Sequence, residues 1–257
     1  MGQRDANMNE TDSRVVRLSL DDVERLAYAA LCVAGASEPN ARSVAQSISA
    51  AEADGIASHG LIRVQTYCDH LECGKVDGRV EPVASSDRAG ACCVDARHGF
   101  AHPAIDLGLR WLAPAARQNG IAALSVARSY NCGVLGYQVE RLAREGLVAL
   151  AFANSPPALA PWGGSKPFFG TNPIACGAPR TAAAPLVIDQ SASVVARGEV
   201  ILHAREGKAI PEGWALDREG RPTTDPRAAL DGGSMLPSGG YKGAGMRMPA
   251  SIKGWKR

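Results

Sequence analysis

The amino-acid sequence predicts a mixed α/β fold, of the α+β kind, that begins with a helical region. Apolar residues recur at helical spacing near the N terminus, and short apolar runs bounded by turn residues follow them. Helical and strand patterns then alternate, which favours a layered α/β core. A chain of 257 residues that is 46% hydrophobic can bury a sizeable core in one or two domains.

The first elements are predicted to be helices. Ser19 begins the segment SLDDVERLAYAALCVAG, and Asp22 three places on completes the pattern of a capping box. A second helix is predicted over Ala41–Ala53 and a third over residues 59–71. The segment CGKVDGRVEP then indicates a crossing into another region. We therefore assign a helical region to residues 15–80 and an α/β core to residues 81–245.

The core begins with a strand and a helix. The segment ACCVDA at residues 91–96 is typical of a strand, and residues 102–120 predict a helix that ends at Asn119-Gly120. Two apolar runs, IAALSVAR at 121–128 and GLVALAFAN at 146–154, have the length of buried strands. No GxGxxG follows an early strand, so the usual dinucleotide-binding signature is absent.

Composition narrows the class of function. A net charge of +2 gives no reason to expect a nucleic-acid partner, which favours chemistry on a small molecule. No apolar run approaches the eighteen or so residues of a membrane span, and the N-terminal segment MGQRDANMNETDSR lacks the apolar centre of a signal peptide. We expect no membrane partner and a cytoplasmic location.

The seven cysteines form no CxxC pair and have no histidine cluster at zinc spacing. They are predicted to be buried thiols in a reducing compartment, and no metal site is expected. Nothing in the sequence places a general base beside any of them, which argues against a cysteine nucleophile.

The segment ADGIASHGLIRVQTY contains the most reactive group of residues. If residues 59–71 form a helix, His59 and Arg63 lie at i and i+4 on one face. Arg63 then offers a planar fork of donors to a carboxylate, while His59 gives or takes a proton beside it and Ser58 orients the imidazole. The alternative is a helix cap at Ser58, a surface histidine and a solvated arginine.

Five segments in order resemble one protein family. They are DGIASHGLIR at 54–63, VDARHGFAHPA at 94–104, GTNPIACGAP at 170–179, IDQSASVVARGE at 188–199, and IPEGWALDREGRPTTDP with GGYKG within 210–243. Together they resemble the malate/L-lactate dehydrogenase-like family of NAD(P)-dependent oxidoreductases, whose fold is distinct from the Rossmann type. Within it, RGE at 197–199 resembles the Δ1-pyrroline-2-carboxylate and Δ1-piperideine-2-carboxylate reductases, which reduce cyclic imino acids with NADPH.

The resemblance implies a set of site residues. For the substrate side it implies Arg63 as the carboxylate clamp, Thr171 as a hydroxyl contact and the pair Arg197-Gly198 as pocket lining. It further implies a catalytic relay of Ser58, His59 and Glu199. Relatives often carry an aspartate where Glu199 stands, and without the resemblance Arg197 and Glu199 could be a surface charge pair.

The resemblance also implies the cofactor, which is NADPH with NADH as the alternative. Three segments would approach it, namely Asn131, Cys132, Gly133, Val134 and Leu135; Asp189, Gln190 and Ser191; and Tyr241 with Lys242. Relatives carry a histidine-rich sequence where this chain has SYNCG, which leaves backbone contact as the expectation there. The alternative interpretation is a turn entering a helix and a flexible loop with a solvated lysine.

Three functions stay open at this stage. The first is reduction of a cyclic imino acid, and the second is a 2-hydroxy-acid dehydrogenase of the malate, lactate or ureidoglycolate type. The third is an inactive family member, because residues 246–257 do not continue as the long apolar helix expected after GGYKG and suggest a truncated tail. Family members are typically homodimers, so we expect a homodimer.

Overall fold

The computed structural model describes residues 16–245 of the chain. Its N-terminal part contains a 3₁₀ turn at Ala57–His59 and three helices, α1 (Leu20–Val33), α2 (Glu38–Ala53) and α3 (Ile62–Glu72). The Ser19 hydroxyl accepts the N–H of Asp22 while the Asp22 carboxylate accepts the N–H of Ser19, so the predicted capping box is confirmed. Buried residues of α1 and α2 form one core with Tyr67 of α3.

The predicted third helix is wrong at its start. Gly60 leaves helical geometry, with φ −87° and ψ −142°, and α3 begins only after it. The carboxylate of Glu52 explains the break, because it accepts the N–H of Leu61 at 2.7 Å and occupies the space that a side chain at position 60 would need. His59 and Arg63 therefore do not share a helix face.

The second helix starts three residues earlier than predicted. It begins at Glu38, with Pro39 in its first turn, where the missing N–H of proline costs no hydrogen bond.

A mixed three-stranded sheet follows the helical part. It consists of β1 (Val83–Arg88), β2 (Ala91–Asp95) and β3 (Ala123–Ala127) in that order, and β2 pairs antiparallel with β1 and parallel with β3. Helix α4 (Ala101–Asn119) makes the crossover between the parallel strands and packs on one face of the sheet. It ends at Gly120 in the left-handed region, with φ 79°, as the Asn-Gly pair predicts.

An antiparallel sheet forms the middle of the chain. It consists of β4 (Ala149–Phe152), β5 (Ile174–Arg180) and β6 (Ala183–Gln190), and helix α5 (Leu135–Arg144) covers one face. The approach is close, because a Cβ at Gly177 would lie 2.5 Å from the carbonyl oxygen of Val139. Glycine at this position lets α5 rest directly on β5.

The other face of this sheet is open among the described residues. Leu150 and Phe152 point to that side and are 65% and 60% exposed, and Leu186 and Ile188 of β6 are 48% and 46% exposed. The prediction of fully buried strands is therefore wrong for β3 and β4, which are covered on one side only.

A small third sheet lies at the C-terminal end of the described residues. Its strands are β7 (Ala215–Leu216), β8 (Pro222–Thr223) and β9 (Ser234–Met235), in the order β8-β7-β9. Three helices accompany it: α6 (Arg197–Glu206), α7 (Pro226–Leu230) and α8 (Gly240–Gly245). Leu159, Val200 and Ile210 are fully buried in their shared core.

Three further predictions meet the structure here. Across residues 16–245, none of the helices is long and apolar enough to cross a membrane. The prediction that the cysteines are buried is confirmed for Cys92 and wrong for the exposed Cys73 and Cys93, and the other four are partly buried. Cys93 points to the outer side of β2. The predicted tail at residues 246–257 lies outside the described residues.

Candidate functional site

Ser58 and His59 lie together on the 3₁₀ turn between α2 and α3. The Ser58 hydroxyl is 3.1 Å from Nδ1 of His59. Leu61, whose N–H the Glu52 carboxylate accepts, is the N-cap of α3, so Ser58 orients the imidazole instead of serving as the helix cap of the alternative interpretation. The contact at Nδ1 leaves Nε2 as the ring nitrogen to act on a bound molecule.

The surroundings of His59 favour its neutral form. Burial lowers the pKa of His59 below its usual value, and the positive charge of Arg63 lowers it further. The carboxylate of Asp189 opposes both effects. Arg63 and Asp189 thus act electrostatically on the imidazole although neither shares an element with it.

Arg63 stands in the first turn of α3 with an unused donor. Its Nε is buried and has no hydrogen-bond partner among the described residues. The guanidinium carbon lies 6.0 Å from the centre of the Tyr67 ring, one helical turn further on. A buried donor without a partner costs free energy, and a carboxylate is the group that matches the guanidinium fork best.

The N terminus of α6 meets the Ser58 turn. A Cβ built on Gly198 would lie 3.8 Å from Cβ of Ser58, so the RGE segment at 197–199 and Ser58 are neighbours. Arg197 is exposed, and its guanidinium donates to the carbonyl of Pro157 at 3.4 Å. Glu199 is half-buried in the first turn of α6, and no hydrogen bond between it and Ser58 or His59 is found among the described residues.

The predicted cofactor segment at residues 131–135 is a tight turn before α5. Oδ1 of Asn131 accepts the N–H of Gly133 at 2.8 Å, and Gly133 has φ 67°. A Cβ at Gly133 would lie 2.9 Å from the Ser47 hydroxyl and 3.0 Å from Nε2 of His102, so glycine is required by the protein interior.

The side chains of this segment turn inward. Val134 and Leu135 are buried, and burial raises the pKa of the Cys132 thiol, which keeps it protonated. The side chains of Val134 and Leu135 are therefore part of the protein interior, and cofactor contact by this segment stays a prediction.

Asp189 joins the second cofactor segment to the first. Its Oδ2 accepts the N–H of Gly136 at 2.7 Å and so caps α5 from the neighbouring strand β6. A Cβ at Gly136 would approach Asp189 and Val187 to 3.3 Å. Asp189 thus positions the N terminus of α5 beside β6. Its second oxygen, Oδ1, does not take part in this cap.

The remaining predicted residues are tied to the same end of β6. Ser191 lies 2.7 Å from the Ser193 hydroxyl, and Gln190 pairs with Ile174 in the sheet. The backbone oxygen of Thr171 accepts the N–H of Ala192 at 2.7 Å, and its hydroxyl lies 3.0 Å from Ser155.

Tyr241 and Lys242 belong to α8, whose preceding residues are hydrogen-bonded to the segment after β6. The N–H of Ser238 donates to the carbonyl of Ala192 at 3.0 Å just before this helix begins. The exposed Tyr241 ring lies 6.2 Å from Trp162, and Nζ of Lys242 lies 6.0 Å from the Tyr241 ring centre.

A cavity of about 440 Å³ lies where these segments meet. Its lining includes the predicted cofactor residues Val134 and Asp189 and their neighbours Gly136 and Val187. Asp54 and Ile56, from the segment before His59, also line it. A volume of this size is typical of ligand sites. The apolar wall of Val134 and Val187 suits an aromatic ring, and the carboxylate of Asp189 and the guanidinium of Arg180 suit polar groups, so the residues present fit part of a nicotinamide dinucleotide.

Several residues around this site were not predicted from the sequence. Tyr67 contacts Arg63, Ser47 and His102 lie against Gly133, and Arg180 lines the cavity. Tyr67 could have been found, because it lies four residues after Arg63 and shares its helix face. Ser47 and His102 carry no such signal, since only the folded chain brings them to Gly133.

The chain was compared with known proteins. The family model described as malate/L-lactate dehydrogenase matches residues 18–252. A (2R)-3-sulfolactate dehydrogenase (NADP(+)) from Chromohalobacter salexigens is 51% identical over 239 residues, which are 91% of this chain and 70% of that protein. A Δ1-pyrroline-2-carboxylate/Δ1-piperideine-2-carboxylate reductase from Pseudomonas putida is 43% identical over 240 residues, which are 93% of this chain and 70% of that protein.

Solved structures agree with this result. The crystal structure of the Δ1-piperideine-2-carboxylate reductase from Pseudomonas syringae pvar. tomato superimposes with a TM-score of 0.89 at 40% identity, covering 93% of this chain and 72% of that one. The chain is thus an oxidoreductase with a mixed α/β fold that differs from the Rossmann fold. The chain belongs to the malate/L-lactate dehydrogenase family.

Proposed function

We propose that the protein is an NAD(P)H-dependent oxidoreductase that reduces the C=N bond of a cyclic imino acid, with NADPH as the preferred cofactor. The observation that carries the proposal is the contact of Ser58 with His59, whose pKa responds to the charges of Arg63 and of Asp189 in the cavity wall. The products would be L-proline from Δ1-pyrroline-2-carboxylate and L-pipecolate from Δ1-piperideine-2-carboxylate. Relatives such as the Pseudomonas putida reductase support this choice.

Each residue has a separate task in the proposed reaction. Arg63 uses its unpaired Nε and the rest of its fork to hold the substrate carboxylate, which fixes the position of C2. His59 gives a proton to the ring nitrogen from Nε2, while Ser58 holds Nδ1. When bound, the reduced nicotinamide supplies the hydride that C2 gains, so the ring gains one hydride and one proton.

Further residues complete the two binding surfaces. Asn131, Cys132, Gly133, Val134 and Leu135 would offer their backbone to the dinucleotide, with Asp189, Gln190 and Ser191 on one side and Tyr241 and Lys242 on the other. Thr171, Arg197 and Gly198 would line the substrate side, and Glu199 would reach Ser58 or His59 to complete the relay once substrate is bound. These roles are proposals that substitution can test one by one.

A second candidate is a 2-hydroxy-acid dehydrogenase. The 51% identity to a sulfolactate dehydrogenase favours it, and the same His59 would take a proton from a hydroxyl group. Arg197 distinguishes the two reactions, because sulfolactate or malate carries a second anionic group that the exposed Arg197 guanidinium would bind in place of the Pro157 carbonyl, one residue before Gly198 at the Ser58 turn. A cyclic imino acid has only the carboxylate that Arg63 holds.

The test is to follow NADPH oxidation by the purified chain with Δ1-pyrroline-2-carboxylate, Δ1-piperideine-2-carboxylate, 3-sulfopyruvate and oxaloacetate in parallel. We expect turnover with the imino acids and expect the variant Arg197→Ala to retain it. Turnover with the dianionic acids alone, lost in Arg197→Ala but retained in the control Arg205→Ala at the other end of α6, would replace the first proposal by the second. No NADPH oxidation with any of the four substrates would favour an inactive family member.

The predictions of oligomeric state, location and partners remain. We propose that the protein is a homodimer in the cytoplasm, without nucleic-acid or membrane partners. The exposed apolar side of the β4-β5-β6 sheet supports self-association, because patches of this kind are uncommon on monomers. Sedimentation velocity of the purified chain measures the oligomeric state.

A further inference from the structure

Tyr67 connects the two halves of the candidate site, although no role is assigned to it by the proposed function. Its side chain is 2% exposed at the centre of α3. One face of the ring lies under the guanidinium of Arg63, at 6.0 Å from ring centre to guanidinium carbon. Its hydroxyl lies 2.8 Å from Oδ1 of Asn131, 64 residues further along the chain.

The direction of the Tyr67 hydrogen bond follows from its partners. Oδ1 of Asn131 also accepts the N–H of Gly133 at 2.8 Å, and a backbone N–H can only donate, so the atom at this position is the amide oxygen. The Tyr67 hydroxyl therefore donates to it. Burial raises the pKa of Tyr67 to about 12 against the opposing charge of Arg63, so the donor is present throughout the physiological pH range.

The ring of Tyr67 is itself fixed by aromatic contacts. Phe100 and Tyr130 meet it edge to face, at 5.8 Å and 5.7 Å between ring centres, and also meet each other at 5.7 Å. His70 closes this group through a 2.5 Å contact between Nδ1 and the Tyr130 hydroxyl. Because Phe100, Tyr130 and Arg63 all contact the ring, it has little room to move between Arg63 and the turn at Asn131.

We propose that Tyr67 is a positioning residue that holds the turn at residues 131–133 in register with Arg63. The hydroxyl fixes Asn131, Asn131 fixes the N–H of Gly133, and the ring supports the guanidinium. The cofactor segment and the carboxylate clamp then belong to one rigid frame, so that a bound dinucleotide and a bound carboxylate meet at a fixed separation. This inference rests on the proposed function for the roles of both ends.

The variant Tyr67→Phe removes the hydroxyl, with its contacts to Asn131 and Arg63, and keeps the ring beneath the guanidinium. Tyr130→Phe is the matched control, since it removes one hydroxyl from the same aromatic group without touching Asn131. NADPH binding measured by fluorescence titration is the first readout. We expect the dissociation constant to rise roughly three- to tenfold in Tyr67→Phe, the factor that one lost hydrogen bond corresponds to, and to stay unchanged in Tyr130→Phe.

Two further measurements separate positioning from general stability. Deuterium uptake by a peptide that covers residues 129–135 should rise in Tyr67→Phe while peptides from α1 keep the wild-type rate. In a cycle with Asn131→Ala, the double variant should bind NADPH no worse than Asn131→Ala alone, because both substitutions break the same link. Where substrate turnover is measurable, kcat should fall in Tyr67→Phe while KM for the substrate stays constant.

Several results would overturn the proposal. They are wild-type affinity for NADPH in Tyr67→Phe, additive losses in the cycle, an equal effect of Tyr130→Phe, or failure of the wild-type chain to bind NADPH. Failure of the proposed function is distinguishable from these, because a chain that binds NADPH through the Tyr67 link and yet reduces no imino acid keeps the link and loses only the substrate assignment.

Discussion

At the scale of single residues, the charge on His59 decides how the site depends on pH. Burial and the neighbouring Arg63 both lower the pKa of His59. Imine reduction requires the protonated imidazole, so we expect kcat/KM to fall as pH rises through a pKa below about 6.5, the ordinary value of histidine. A substrate carboxylate neutralises Arg63 and raises the pKa in the complex, so kcat should fall at a higher pH than kcat/KM.

Substitution of His59 checks that assignment. His59→Ala should lower kcat by roughly 10²-fold and remove this limb from the pH profile, as expected for the loss of a general acid. His203→Gln is the control, because His203 lies in the last turn of α6 and its Nδ1 contacts the Ala209 carbonyl at 2.8 Å. Steady-state rates across about pH 5 to pH 8 provide the measurement, and a limb that persists in His59→Ala would assign the proton to another group.

The residues of the site were easier to predict than their geometry. Ser58, His59 and Arg63 were predicted from residue type, spacing and the family resemblance; Ser58 and His59 are in contact, and the charge of Arg63 acts on the imidazole. Their helical register was predicted wrongly, because the break at Gly60 depends on Glu52 reaching back from α2. Periodicity reports which residues share a face within one helix and contains no information about a side chain that intrudes from another.

At the scale of elements, strong local signals predicted the structure well and weak ones did not. The capping box of α1 and the glycine that ends α4 are local chemistry, and both are confirmed. The predicted strands at residues 121–128 and 146–154 exist, yet they are shorter and half-exposed. Burial depends on what covers the outer face of a sheet, which the sequence of one strand does not determine.

The contact between α5 and β5 supplies a prediction at this scale. A methyl group at Gly177 would lie 2.5 Å from the Val139 carbonyl oxygen, which is helix backbone and cannot rotate away. Gly177→Ala should therefore push α5 from the sheet and lower the free energy of unfolding by about 1–3 kcal/mol, the usual cost of overpacking.

Urea unfolding measures this cost. Gly90→Ala is the matched control, because its added methyl group would meet only the Ile121 carbonyl oxygen at an ordinary 3.5 Å. The Gly177 variant should also bind NADPH more weakly, since α5 carries Gly136 against Asp189. Equal urea midpoints for the two variants would mean that α5 does not rest on β5 as described.

At the scale of the whole molecule, His102 couples overall stability to pH. It is fully buried beneath Gly133, its Nδ1 has no hydrogen-bond partner among the described residues, and burial lowers its pKa to about 4. Arg141 lowers this pKa further, while the carboxylate of Asp106 opposes the shift. The unfolded chain binds a proton at His102 below about pH 6.5 and the folded chain only near pH 4.

The sign of the effect follows from proton uptake. Between these two pKa values the unfolded state binds more protons, so stability falls as pH is lowered from about 6.5 to about 4 and is lost no further at this residue below that. A difference of this size corresponds to about 3 kcal/mol of unfolding free energy. His102→Gln replaces the ring with an amide that does not titrate, and its unfolding free energy should fall less steeply over the same interval.

The comparison of slopes isolates His102 from the other groups that titrate in this range. His98→Asn is the control, because His98 is exposed and its φ of 67° is one that asparagine adopts readily. Urea unfolding at about pH 7 and about pH 4.5 gives the slope for each variant, whatever its stability at neutral pH. If His102→Gln and the wild type lose the same free energy, His102 is not the buried neutral group that the fold requires; if only His102→Gln resists acid, the histidine beneath the cofactor turn sets the acid limit of the whole chain.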